Sequence, residues 1–385
     1  MVVYVKTQGA HIAREGRHLI VKKDGDIYHT LFTYRLQQLV IMGNVTVTPQ
    51  AMKLLLRESI DTVFMTLNGR YIGRLATAEQ KNVFLRKRQF LLCDDEPFCV
   101  AVAREIVSGK IGNMITILNR IDRKARREEI RRKISILRNI LAKVPRAESR
   151  DTLMGYEGNA SAVYFPALSN GFSDDFGFTK RVRRPPTDPV NAVLSLLYTM
   201  LINRAYAAVR LAGLDPYPGF FHALEYGRYS LPLDLVEEFR PIIADSLTLS
   251  AFNLKALRRE DFVTISPPPP EPLPTPDPIL EVINDPLGAM SETGDPGELF
   301  DMPVQPVEPD PADEGVPAEG KRPVQLTQEA LRRVISMFEQ KMNSEFTHPE
   351  TGMKMTWQEG MVYQARQLRR IIEGEAIVYR PILLR

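Results

Sequence analysis

A chain of 385 residues, 44% apolar and 25% charged, has material for one large core or two smaller ones. Its two cysteines, Cys93 and Cys99, exclude a disulfide framework, and no Cys-x-x-Cys pair is available to zinc. The net charge of +3 hides an asymmetry: residues 266–323 carry thirteen acids and two bases, and removing that −11 leaves +14 on the rest.

Residues 1–75 read as β-rich. Tyr4–Lys6, His18–Val21, Ile27–Leu31, Leu39–Met42 and Thr62–Met65 are short β-branched or aromatic runs. Lys23-Asp24-Gly25-Asp26 between two of them is a hairpin signal. Thr48-Pro49 caps a short helix over Ala51–Ser59, and Asn68-Gly69-Arg70 is a further turn. From Thr77 the period becomes helical. The spacing predicts helices over Ala78–Cys93, Pro97–Ser108, Ile111–Val144, Ala160–Leu168, Asp188–Ala212, Leu235–Ile243, Thr327–Lys341 and Trp357–Glu373. Within the third of these, Arg120–Lys133 holds eight bases and three acids, opposite a face bearing Ile117, Ile121, Ile130, Ile134 and Leu137. Such a face is either plainly solvated or a phosphate-binding surface.

Sixteen of the 29 prolines fall within 266–323 together with its thirteen acids. That composition buries too little apolar surface to offset its ordering entropy, so the segment is expected to be disordered or extended. It interrupts the helical region as a loop insertion, because residues 325–385 are short for a core of their own. The expected fold class is α+β: a small N-terminal β-rich domain over 1–75, then a larger all-α catalytic domain over 76–385, interrupted by 266–323. No basic-then-apolar leader opens the chain and no unbroken apolar run approaches about 18 residues. The expectation is therefore a cytoplasmic protein without membrane association.

The densest chemistry lies in Gly219–Pro241, GFFHALEYGRYSLPLDLVEEFRP, which contains the sole histidine between His29 and His348. Asp234 and Glu237 follow, three apart and so on one helix face. Upstream, Gly155-Tyr156-Glu157-Gly158-Asn159 places a carboxylate between glycines. One histidine with two or three carboxylates suits a hard divalent cation that keeps open positions for phosphate. On a basic body, that points to a metal-dependent enzyme acting on nucleic acid. Plainer readings exist for each residue: Glu157 as a helix N-terminal carboxylate, His222 as a satisfied core histidine, Asp234 and Glu237 as first-turn acids.

Three stretches carry a family resemblance: Leu153–Ala160, Arg184–Tyr198 (RPPTDPVNAVLSLLY), and Leu214–His222 (LDPYPGFFH) continuing to Pro241. Their order and spacing resemble the CRISPR adaptation integrase, the Cas-one type endonuclease, across nearly the whole chain. The resemblance implies metal ligands at Glu157, His222 and Glu237, with Asp234 as helper or alternative ligand, and Mg²⁺ or Mn²⁺ as cofactor. The long insertion and Pro232 depart from the family's usual pattern. Asp188-Pro189 starts a helix that puts Asn191, Ser195 and Tyr198 on one face, lining either a substrate cleft or a core. Arg228 and Ser230, with Arg181, Arg183 and Arg184, are candidate phosphate contacts or plain surface groups.

The implied activity is that of a metal-dependent DNA endonuclease/integrase of CRISPR spacer acquisition. It joins the 3′-OH of a short foreign DNA fragment to the repeat by transesterification. Alternatives are a metal-dependent DNase or branched-DNA resolvase that does not integrate, and a non-catalytic DNA scaffold. The implied partners are double-stranded and branched DNA, a second copy of the chain paired through the β domain, and a small Cas-two type protein bridging two dimers.

Overall fold

The computed structural model describes residues 1–75, 82–182, 185–265 and 322–384, without the side chains of 124 and 125. The N-terminal region contains two four-stranded sheets. One has the order β1 (Val2–Val5), β5 (Gln38–Met42), β7 (Asp61–Met65), β8 (Tyr71–Leu75); its first three strands are parallel and β8 is antiparallel to β7. The other has the order β4 (Asp26–Phe32), β3 (His18–Lys23), β2 (Ala10–Glu15), β6 (Val45–Val47).

Strand β5 is buried along its full length. Its side chains alternate between two cores. Leu39 and Ile41 join Ile12, Leu19 and Leu55 in the N-terminal core, while Val40 and Met42 pack into the core of the helical region. The hairpin between β3 and β4 turns on Asp24 and Gly25, both with positive φ, as a two-residue loop of that kind requires. Helix α1 (Pro49–Arg57) begins where the sequence predicts, with Thr48 Oγ1 accepting from the Ala51 N–H at 3.3 Å.

The helical region comprises α2 (Val83–Cys93), α3 (Glu96–Ala125), α4 (Glu128–Leu141), α5 (Arg150–Leu168), α6 (Pro189–Leu211), α7 (Ser230–Val236), a π-helical stretch Arg240–Asp245, α8 (Ser246–Asn253), α9 (Gln328–Asn343) and α10 (Trp357–Glu373). Several boundaries differ from expectation, each for a local reason. No break falls near Gly109. Helix α3 runs through it for 30 residues, and the chain turns instead at Arg126, which adopts a left-handed conformation before α4. Ser149 caps α5 ten residues ahead of the expected start, so Glu157 lies inside a helix and not beside a turn. Pro232 falls in the first turn of α7, where a missing N–H costs no helical bond.

The region is not all-α. Strand β9 (Phe262–Thr264) pairs with β10 (Val324–Leu326), and β11 (Glu345–Thr347) pairs with β12 (Lys354–Thr356). The β9–β10 ladder holds together the two ends of the Pro/acidic segment, which, apart from residues 322 and 323, lies outside the described residues. Helix α6 is long and apolar enough to cross a membrane by length and composition, but 78% of its apolar window is buried in the protein.

Candidate metal centre

Three helices bring buried charge to one point. Helix α3 contributes Lys110, α5 contributes Glu157, and Glu237 closes the C-terminal end of α7. None is more than 3% exposed. The Lys110 ammonium pairs with Glu157 Oε1 and lies 2.5 Å from Glu237 Oε2. Ser161, one turn along α5, donates to Glu157 Oε1 at 2.8 Å. Arg240 meets Glu237 Oε1 at 3.0 Å. Two carboxylates out of water would repel strongly if unpaired, and the cations of Lys110 and Arg240 offset that cost. Glu157 Oε2 is buried with no hydrogen-bond partner among the described residues.

His222 is set by Asp234. Asp234 Oδ2 accepts from the N–H groups of Phe220 (2.6 Å) and Phe221 (3.0 Å), and Oδ1 accepts from the His222 N–H at 2.9 Å. The same Oδ1 lies 2.7 Å from His222 Nδ1. A carboxylate there makes Nδ1 the protonated nitrogen and leaves the lone pair on Nε2, the arrangement by which metal-ligating histidines are oriented. Gly219 permits this wrap: a Cβ on it would lie 2.7 Å from Ser230 Cβ and 2.9 Å from Asp234 Oδ2. Asp234 therefore acts as the orienting carboxylate, with both oxygens engaged.

Among the described residues no group of three or more His, Cys, Asp or Glu has metal-holding geometry. The cation between the two glutamates is the Lys110 ammonium. The donor set nonetheless fits a hard divalent ion: two carboxylates already converging on one cation, a buried carboxylate oxygen without a partner, and an imidazole with Nε2 as acceptor.

A second polar layer lies behind this one. Asp245 accepts from Tyr164 (2.9 Å) and Tyr198 (2.7 Å). Burial pushes its pKa up to about 6 despite those two donors. The guanidinium groups of Arg181 and Arg240 lie 5.2 and 5.1 Å from the Tyr198 ring centre. Desolvation lowers Arg181 to about 10.

The residues read as DNA contacts are placed differently. Asn191 is fully buried and pins the loop before α6: its Oδ1 accepts from Val182 N–H and Arg181, and its Nδ2 donates to Lys180 O and Asp188. Tyr198, Arg228 and Ser230 are also buried, with Arg228 paired to Glu225 and Ser230 donating to Ala223 O. All four side chains are buried and meet protein partners. Arg183 and Arg184 lie outside the described residues. On α3 and α4 the apolar face is buried as expected, and Arg120, Arg123, Arg126, Arg127, Arg131 and Arg132 are exposed.

Sequence reasoning missed Lys110, Ser161, Tyr164, Arg240 and Asp245. A signal existed for the first: Lys110 is the lone charge in the apolar stretch Ile106–Leu118.

Comparison with known proteins adds a family. The model of the CRISPR associated protein Cas1 family matches residues 3–266. The chain is 30% identical over 386 residues to "CRISPR-associated endonuclease Cas1 3" of Thermus thermophilus, covering 100% of this chain and 97% of that one. Among solved structures, a casposase bound to integration product superposes with a TM-score of 0.75 at 16% identity, covering 98% of this chain and 92% of the other. A chain of a Cas6-RT-Cas1–Cas2 complex gives 0.75 at 24% identity, covering 99% of this chain and 36% of that longer one. At these identities the two structures show a shared fold.

Proposed function

This chain belongs to the CRISPR-associated Cas1 family, and from that premise we propose that it is a divalent-metal-dependent DNA endonuclease and integrase of spacer acquisition. It joins the 3′-hydroxyl of a short foreign DNA fragment to the CRISPR repeat. One observation carries this reading: two buried carboxylates from separate helices, Glu157 and Glu237, close on a single cation.

Glu157, Glu237 and His222 Nε2 would hold the ion. Oxygen donors suit Mg²⁺, and the imidazole makes Mn²⁺ equally acceptable. When bound, the ion supplies Lewis-acid polarisation of the phosphodiester. The protein's own groups prepare the site. Asp234 fixes the tautomer and direction of His222, Ser161 orients Glu157, and Arg240 holds Glu237 from the side facing Tyr198. Lys110 keeps the two carboxylates together and their charge compensated. In the exchange, the attacking 3′-oxygen bonds to phosphorus as a P–O3′ bond of the repeat breaks, and the departing strand leaves with a new 3′-hydroxyl. The count of phosphodiesters is unchanged, so no energy source is needed. Water in place of the hydroxyl gives hydrolysis.

The +14 body and the exposed arginines of α3 and α4 support duplex and branched DNA as substrate. Strand β4 is a sheet edge with Ile27 and Tyr28 about half exposed, which supports pairing of two copies through the β region. A small Cas2-type partner bridging two dimers, in the cytoplasm, completes the reading.

The test is a joining assay with a labelled 3′-OH fragment and a repeat duplex in Mn²⁺. The wild type should form the joined product, and Glu157→Gln, His222→Ala and Glu237→Gln should not. Hydrolysis without joining would make the protein a DNase or resolvase. Joining that survives all three changes would remove the metal centre from the account.

A further inference from the structure

Glu238 follows the ligand Glu237 in sequence and faces away from it into a different set of partners. Its Oε1 accepts from Tyr379 at 2.5 Å and from Gln364 at 3.0 Å, and its Oε2 accepts from the Ile382 N–H. Its backbone carbonyl accepts from Asn113 at 3.0 Å. Asn113 also donates to Ile382 O at 2.8 Å and accepts from Leu384 N–H at 2.8 Å. The segment 379–384 thus crosses from Glu238 to α3, at the turn that carries Lys110.

Helix α3 is shaped for that crossing. A Cβ on Gly109 would lie 2.4 Å from Pro381 Cβ, and one on Gly112 would lie 3.0 Å from Leu383 Cδ2. A helix interior disfavours glycine, so two glycines flanking Lys110 mark a groove. The chain leaves α10 through Gly374, exposes Ile377 almost fully, and returns to bury Tyr379 and Ile382. This segment lies outside the residues that the family model matches.

We propose that residues 379–384 form a positioning strap for the metal centre. Seated between Gly109 and Glu238, the strap sets the distance between the Lys110 turn of α3 and Glu237, so that both glutamates face one point. The proposal rests on the metal reading above. It differs from ordinary packing in what it predicts: loosening the strap weakens metal binding while the fold stays intact.

The test measures Mn²⁺ affinity by electron paramagnetic resonance on full-length protein, with thermal melting alongside. Wild type should bind one Mn²⁺ that Glu157→Gln loses, which establishes the assay. Ile382→Pro deletes the single N–H donated to Glu238 Oε2, and Tyr379→Phe deletes the hydroxyl on Oε1. We expect Mn²⁺ affinity to fall several-fold in Tyr379→Phe and at least tenfold in the double variant, with duplex DNA affinity and helicity unchanged. Should the double variant fail to fold, Tyr379→Phe alone decides. Wild-type Mn²⁺ affinity in a folded strap variant overturns the proposal and leaves the metal reading standing. A wild type with no Glu157-dependent Mn²⁺ signal ends both.

Discussion

Asp234 collects three backbone N–H groups and the His222 ring, and each of those bonds is charge-assisted. Asn at this position offers one accepting oxygen where two are needed, and turns an NH₂ toward at least one donor. Asp234→Asn should therefore lose about 2–4 kcal/mol in urea denaturation. It should also weaken Mn²⁺ binding, because the Nδ1 proton is no longer fixed; a wild-type midpoint would refute the role given to Asp234. Asp245 makes a prediction of opposite sign to most carboxylates. Its folded pKa of about 6 lies above the unfolded value, so ionisation opposes folding. Relative to Asp245→Asn, the wild type should gain stability as pH falls from 8 to about 4, on the order of 2–3 kcal/mol in total. A difference between the two proteins that does not vary with pH would contradict this. At this scale the sequence is readable where a residue type is scarce. His222 stands alone over a long stretch, and Glu157 and Glu237 sit in recognisable surroundings. Lys110 is the lone charge in the apolar stretch Ile106–Leu118, but its role is legible only once its two glutamates are placed beside it.

Glycines show how one residue type carries different meanings in different elements. Gly155 and Gly158 read as turn residues, yet they lie inside α5, and a Cβ on either would meet nothing within 4 Å. Gly158→Ala should therefore stabilise the helix by about 0.5–1 kcal/mol. Gly219→Ala should do the opposite, because its Cβ would strike Ser230 and Asp234. Equal denaturation midpoints for the two variants would show that the contacts around Gly219 do not matter. The same distinction explains which elements could be read in advance. Thr48 and Asp188 each cap a helix where the sequence indicates, because a cap is a local hydrogen bond. The continuity of α3 and the start of α5 were not readable, because packing decides whether a glycine interrupts a helix. Strand β8 and the two short strand pairs escaped for a related reason: three to five residues hold too little pattern to stand out.

Charge is the property of the whole molecule that the composition revealed most directly. A body of +14 should bind duplex and branched DNA largely through phosphates, so affinity should drop steeply as salt rises. A flat salt response would return the arginines of α3 and α4 to simple solvation. Residues 266–323 add a further expectation, since a charge of −11 on the same chain is attracted to a basic surface as DNA phosphates are. Replacing them by a short Gly/Ser linker across the β9–β10 ladder should raise nonspecific DNA affinity several-fold at low salt and leave it unchanged at high salt. Identical binding at both salt levels would make the segment a spacer. The central claim, that Glu157, His222 and Glu237 hold the catalytic ion, is tested most directly by anomalous diffraction from crystals soaked in Mn²⁺. One peak is expected within about 2.3 Å of an oxygen of each glutamate and of His222 Nε2, with the Lys110 ammonium displaced from between the carboxylates. An undisturbed Lys110 bridge, or a peak only at other residues, would contradict it.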